Sequence, residues 1–468
     1  MIKKQLADYF ALHRQEMIDD ICRLVAIESV GGEVQPGMPY GDGPAAALSA
    51  AMALAQDMGF TVMNYDGYVA AIDMNEKPTQ LDILAHLDVV PGGEGWTVTT
   101  PFAPVEKDGL LYGRGVADDK GPAVAALYAM RAVKELGIPL SRNVRLILGT
   151  DEECGSDDIA HYYQREKEAP MTFSPDADFP LINIEKGRVH GRFAANWNAS
   201  PDLPRVLSLH SGERPNVVPQ TAEANLIGLT AAEVSPIADV VTAETGVRYQ
   251  LTDTIDGLHL LATGTGAHAS TPRYGNNALT GLLTLLCRLP LAANGATQRL
   301  HSLCHLFPHG DFFGKAANMA CHDNLSGDTT IALTILHLES GSLRGEFDSR
   351  TAISAVKEDT ADILAGKLAE SGITPDFHYT APHHVPADTP LVQELLHCYE
   401  QYTGQPGQPL AIGGFTYVHD LQNGVAFGCA MPGFDTHMHG PDECMDVDTL
   451  LLSTQMFAQA IIDLCQAK

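Results

Sequence analysis

Short apolar runs alternate with helix-patterned stretches through the first 185 residues, and that alternation leaves few folds open. Residues 44–58 (PAAALSAAMALAQDM) read as a helix, followed by TVMNY, YVAAID and then LDILA at 81–85. GPAVAALYAMRAVKEL at 121–136 reads as another helix, VRLIL at 144–148 as a strand, and LINIE at 181–185 closes the series. Strands separated by helices predict an α/β sheet with helices on both faces. In such sheets, ligands sit beyond the carboxyl ends of the strands.

From about 187 to 384 the pattern changes to alternating strand segments such as VLSLHS, ANLIGLTA, LHLLATGTGAHAS and TTIALTILHLES, with helices between them. The earlier pattern resumes with LVQELLHCYEQYTG, VAFGCAMPG and a final helix at 448–465. The simplest account is a catalytic domain in two parts, 1–186 and 385–468, interrupted by an inserted domain at 187–384.

Acids and histidines gather where strands end. AHLDVVP sets His86 and Asp88 two apart, on one side of an extended backbone. That suits a metal-ligating imidazole with a carboxylate to orient it, or a buried histidine merely bonded to Asp88. GRGVADDKGP holds Asp118 and Asp119 in a glycine-flanked loop before a helix, where acids also act as caps. LILGTDEECGS puts Asp151, Glu152 and Glu153 directly after an apolar strand. Like charges crowded at the end of a buried strand are costly unless a cation neutralises them. This segment points most directly to metal; a solvated acidic turn is the alternative. SPDADFP carries Asp176 between prolines, and DTHMHGPDE carries His437, His439 and Glu443. The residue types alone do not say which of the two histidines binds.

Imidazole and carboxylate without thiolate suit zinc, or alternatively manganese or cobalt. A further carboxylate near the metals but not on them would serve as general base. The nine cysteines are scattered without a CxxC pair, which argues against a thiolate finger or a disulfide framework. The formal charge, 29 − 58 = −29, argues against nucleic acid or an anionic membrane as partner. The N-terminal stretch lacks the apolar core of a secretory signal, and nothing reads as membrane-spanning, so the expected location is the cytoplasm.

HLDVVP, GRGVADDKGP, TDEE, PDADFP and HGPDE, in that order, resemble the di-zinc peptidases that include carboxypeptidase G-type enzymes, aminoacylases and carnosinases. The resemblance extends over essentially the whole chain and is greatest to the bacterial dipeptidase V (Xaa-His dipeptidase) type. It implies a mixed, mostly parallel catalytic sheet flanked by helices and interrupted by an α+β lid. It also implies two Zn2+ per chain, with Asp118 bridging them. His86 and Asp176 would complete one site, Glu153 and His439 the other. His439 is preferred to His437 because only His439 satisfies the family's H-x-x-D/N-E pattern, through Glu443. Asp88 would orient His86. Glu152 would be the general base acting on a metal-bridging hydroxide and later protonating the leaving amine. The Asp118–Asp119 peptide bond would be cis.

GTGAHASTPRYGNNA resembles the family's lid element, which implies that His268 donates to the substrate carbonyl and its oxyanion. Asn216 in RPNVVPQ matches a lid asparagine near the substrate, and Arg350 in FDSR an arginine that binds the substrate carboxylate. A turn role for His268 and an ion pair of Arg350 with Asp348 are the structural alternatives. One stretch departs from the dipeptidase V type. Its Gly-Gly-Gly-Thr-Tyr loop followed by a basic residue is IGGFTYVHD here, with Phe415 at the third glycine and His419 at the basic position. The implied substrate is a small peptide, a dipeptide with a free N-terminus and a C-terminal carboxylate. An aminoacylase or deacylase of N-acyl amino acids is the alternative, because those substrates also offer a carboxylate and an amide. The enlarged lid implies a monomer, since in that type it substitutes for a second subunit.

Overall fold

The computed structural model describes residues 2–466. They divide into two compact units. The first comprises the chain up to Ile184, His384–Ala411, and the chain from Phe415 onward; the second comprises Glu185–His383 and Ile412–Gly414. The segment 412–414, expected within the last catalytic stretch, groups with the insert for a local reason. Lys186 N–H donates to the Ile412 carbonyl at 2.9 Å, and Arg350 Nη1 donates to the Gly413 carbonyl.

The first unit is built on a nine-stranded mixed sheet. Its centre runs Asn143–Gly149, Thr79–His86, Met171–Ser174, Gly424–Ala426, all mutually parallel. The pairs on either side, Val69–Asp73 with Asn143–Gly149 and Gly424–Ala426 with Ile182–Glu185, are antiparallel.

The two-residue period of each strand decides which core it feeds. Ala70, Ile72, Ile83, Ala85, Leu146 and Leu148 point into the larger core, with helices Ile2–Val25, Lys120–Glu135, Pro390–Thr403 and Val447–Cys465. Val69, Ala71, Leu84 and Ile147 point the other way, towards Ile159 and Tyr162 of helix Asp157–Tyr163 and towards Tyr417, Val418 and Leu421. Lys120–Glu135 is buried on nearly every side, and its alanines at 123, 125, 126, 129 and 132 let its neighbours approach closely. A fully buried Leu, Ile or Val contributes about 1.5–3 kcal/mol, so these strands and helices are held chiefly by their apolar faces.

The second unit carries an eight-stranded, wholly antiparallel sheet ordered Arg248–Thr254, Gly257–Thr263, Thr221–Ile227, Arg205–Ser211, Thr330–Glu339, Ser342–Thr351, Gly187–Asn196, Thr374–Thr380. Alternate residues of Gly187–Asn196 and Thr221–Ile227 are buried. They pack with helices Ala231–Thr245, Ala278–Leu286, Gly295–Leu306 and Ala361–Glu370 in one core. Thr230 and Glu233 form a reciprocal capping box at the start of the first of these helices. No helix among the described residues is long and apolar enough to cross a membrane.

Gly149 ends the strand Asn143–Gly149, and a Cβ there would overlap both the Tyr417 hydroxyl and the Asp158 carboxylate. Those two groups are hydrogen-bonded at 2.6 Å. Gly149→Ala is expected to lower stability by about 1–3 kcal/mol, read as a lower denaturant midpoint at unchanged slope.

Candidate active site

Three neighbouring parallel strands deliver side chains to the same end of the sheet. Thr79–His86 ends in His86 and continues to Asp88; Asn143–Gly149 continues into Thr150–Glu153; Met171–Ser174 continues to Asp176. The loop before helix Lys120–Glu135 brings Asp118, and the loop before strand Cys444–Asp446 brings His439.

His86 is fully buried, and its Nε2 lies 2.9 Å from Asp118 Oδ1 and 3.6 Å from Asp176 Oδ2. The other oxygen of Asp118, Oδ2, lies 2.9 Å from His439 Nε2, which is 3.3 Å from Glu153 Oε2. The result is two clusters, His86–Asp118–Asp176 and Asp118–Glu153–His439, joined by one carboxylate. Within each, the candidate ligand atoms lie within 4.8 Å of one another. His437 is exposed and faces Asp435 instead. His437, His439 and Asp442 all take left-handed backbone conformations, with φ of 54°, 61° and 56°, a pattern that concentrates at functional loops. The Asp118–Asp119 peptide bond is cis.

Two further carboxylates build the acidic turn by capturing its amides. Asp158 Oδ2 accepts from Thr150 N–H at 2.5 Å and Asp151 N–H at 3.1 Å. Asp88 accepts from Glu152 N–H at 3.2 Å and Glu153 N–H at 3.0 Å. Asp88 also lies at the ring of His86, the residue it is expected to orient. The nearer partner of His86 Nδ1 is the Asp88 backbone carbonyl at 3.0 Å, with the carboxylate at 3.5 Å. The reason is competition: the carboxylate is already held by two amide donors.

Glu443 sits behind Asp118. Its Oε1 accepts from Gly115, Ala117 and Asp118 N–H at 3.0, 3.0 and 3.3 Å, and its Oε2 pairs with Arg114 Nη1 at 2.5 Å. Arg114 Nη2 donates to the Gly440 carbonyl at 3.0 Å, beside His439. Glu443 thus fixes the Asp118 loop, and Arg114 ties that loop to the one carrying His439. Sequence reading used Glu443 only as a motif marker and gave Arg114 and Asp158 no role. The glycines flanking Arg114 were the one signal that its loop is closely packed.

The electrostatics show an excess of buried negative charge. Burial and the Asp118 carboxylate push Asp176 up to about 6. Burial, with Asp176, Asp118 and Glu153 adding repulsion against the opposing pull of His86, pushes Glu152 well above the usual range. Burial and Asp176 do the same to Asp119. Burial opposes charge on Asp118, yet its bonds to His439 and His86 hold it below the usual carboxylate range. The bonds to Asp118 and Glu153 raise His439 to about 10. Glu153 Oε1 and Asp119 Oδ1 are buried without a hydrogen-bond partner. Orphaned carboxylate oxygens beside two imidazoles, with no thiolate in either cluster, fit divalent cations of the zinc, manganese or cobalt class.

The second unit brings together the other expected residues. His268 pairs with Val217 across two short strands, and Ala269 N–H donates to the Asn216 carbonyl at 2.8 Å. Ser270 N–H donates to His268 Nδ1 at 3.2 Å. In the neutral ring this leaves the proton on Nε2. Arg350 is nearly buried and bonds Asp348 through Nε at 2.8 Å and Nη2 at 3.1 Å. The ion pair of Arg350 with Asp348 therefore forms, as a buried guanidinium demands. Ser270 and Arg350 both flank Gly413. In the first unit, Phe415 stacks on His419 with ring centroids 3.9 Å apart.

Residues 83–463 match the family described as Peptidase family M20/M25/M40. YtjP of Bacillus subtilis, whose dipeptidase name is provisional, is 36% identical over 462 residues, spanning 97% of this chain and 98% of that protein. The Beta-Ala-Xaa dipeptidase of Lactobacillus delbrueckii subsp. lactis is 32% identical over 474 residues, spanning 98% of each. Among solved structures, human carnosine dipeptidase 1 has a similar fold, with TM-score 0.59 at 16% identity over 100% of this chain and 99% of that one. The match spans the strand-end loops and the loop of His439 alike, and the chain is a hydrolase that belongs to peptidase family M20/M25/M40.

Proposed function

We propose that this chain hydrolyses the amide bond of dipeptides at a centre of two divalent cations, zinc before manganese or cobalt. One observation carries the reading: the two oxygens of Asp118 face separate imidazoles, each accompanied by a second carboxylate. A buried carboxylate shared in this way suits a bridging ligand, with His86 and Asp176 on one side and Glu153 and His439 on the other. The cations would polarise the scissile carbonyl and lower the pKa of water from about 15.7 to about 7.

The chain's own groups do the rest in this proposal. Glu152, kept off the candidate ligand set and made a stronger base by burial, takes the proton from the attacking water and returns it to the leaving amine. His268, with its proton on Nε2, donates to the substrate carbonyl oxygen as charge develops there. Asn216 lies on the same lid turn. Arg350, held by Asp348, binds the substrate carboxylate beside the 412–414 segment. Residues 187–384 act as the lid, and the chain acts as a monomer. The dipeptidase names of two relatives over 30% identical support this substrate class.

A panel of free dipeptides against N-acetyl and N-succinyl amino acids checks the substrate class. Free dipeptides are expected to show the higher kcat/KM; a preference for N-acyl amino acids would make the chain an aminoacylase instead. Glu152→Ala is expected to lower kcat by about 10²–10⁴-fold while metal content by elemental analysis stays at that of the wild type. Retained turnover would assign the base elsewhere. Dialysis against chelator should abolish activity, and added zinc should restore it. Asp118→Asn should lose most of the bound metal at both sites, because a bridging ligand serves both.

A further inference from the structure

The eight-stranded sheet of the second unit has one face covered by helices. Leu209, Leu336 and Leu338 point into that core, so by strand alternation His210 and His337 lie on the opposite face. His210 of strand Arg205–Ser211 stands directly opposite His337 of strand Thr330–Glu339. Their Nδ1 atoms are 3.1 Å apart. On its other ring nitrogen, His210 Nε2 lies 2.9 Å from Glu339 Oε1, and the His210 side chain is 47% exposed.

These contacts fix the protons. A carboxylate only accepts, so Glu339 holds the His210 proton on Nε2 in the neutral ring. The His210 Nδ1 lone pair then faces His337. Carboxylate–imidazole pairing of this kind orients metal-binding histidines and fixes their tautomer. Two metal–nitrogen bonds of about 2.0–2.1 Å, meeting at about 90–110°, separate their nitrogens by about 2.9–3.3 Å. The observed 3.1 Å falls inside that window. A modest tilt of the two rings about their side-chain torsions brings both lone pairs onto one point.

The surrounding charges are mixed. Glu223 lies opposite His210 on the next strand, and Glu339 and Glu346 add negative charge, while Arg344 lies opposite His337. Burial, Arg344 and His210 together depress the His337 pKa, which keeps its ring neutral and its lone pair usable.

We propose that His210 and His337 form a two-imidazole chelate for a divalent transition ion of the copper, nickel or zinc class, with Glu339 as its orienting partner. Each Nδ1 gives one lone pair, and water fills the remaining positions. The proton between the rings leaves His337 Nδ1 and is carried on Nε2, so no redox partner is needed. Copper binds most tightly on the general affinity order of divalent ions.

The test adds Cu2+ alone to zinc-loaded, dialysed protein, with binding followed by equilibrium dialysis and coordination by electron paramagnetic resonance. The expected result is a Cu2+ site whose spectrum carries two imidazole nitrogens. His210→Gln and His337→Gln should each weaken it by about tenfold or more and leave at most one nitrogen. Glu339→Gln should weaken it less. His301 and His305, exposed and four apart on helix Gly295–Leu306, supply the control. Unchanged binding in His337→Gln, or loss confined to His301→Gln, overturns the proposal.

Discussion

The Asp118 carboxylate turns one oxygen to His86 and the other to His439, each at 2.9 Å, and the architecture around it follows from the cost of keeping that charge out of water. A buried carboxylate needs donors on its reacting side and a fixed backbone behind it. Here the imidazoles supply the first and Glu443 the second, by gathering the amides of Gly115, Ala117 and Asp118 in the Asp118 loop. Glu443 is itself fully buried, and Arg114 is the cation that makes its burial tolerable. Removing one partner of such a pair costs about 3–5 kcal/mol. The support of the site is therefore part of the stability of the fold.

The acidic turn at Thr150–Glu153 shows the same economy. Four consecutive amide N–H groups leave the strand end without ladder partners, and two carboxylates, Asp158 and Asp88, take two each. Amide donors hold those carboxylates while the free ends of Glu152 and Glu153 are directed towards the Asp118 cluster. The turn thus combines bound carboxylates that shape it with unbound ones that can work.

Much of the first unit was legible in the sequence because its signals are local. Apolar alternation gave the strands Thr61–Tyr65, Val69–Asp73, Thr79–His86 and Asn143–Gly149 and the helices between them. Acids directly after such strands pointed to the sheet's carboxyl end. The structure gathers His86, Asp118, Glu153, Asp176 and His439 there. The supporting roles were not legible. Arg114 and Glu443 are 329 residues apart, and nothing in either neighbourhood announces the pair. The replacement of glycine by Phe415 reads as a simple departure until Phe415 is seen stacked on His419, the other altered position of the same loop.

The sequence by itself determined the residue types able to hold cations, the strand-end positions that carry them, and the helix-and-strand rhythm of each unit. These depend on neighbours a few residues apart. Only the tertiary structure decided that Asp118 is shared between two imidazoles, that the Asp88 carboxylate holds the amides of Glu152 and Glu153 as well as facing His86, and that Arg350 pairs with Asp348. It also decided that three residues after Ala411 pack with the insert. Each is a competition among donors and acceptors far apart in the chain. Such a competition is settled by which groups are buried together, and one-dimensional order does not encode that.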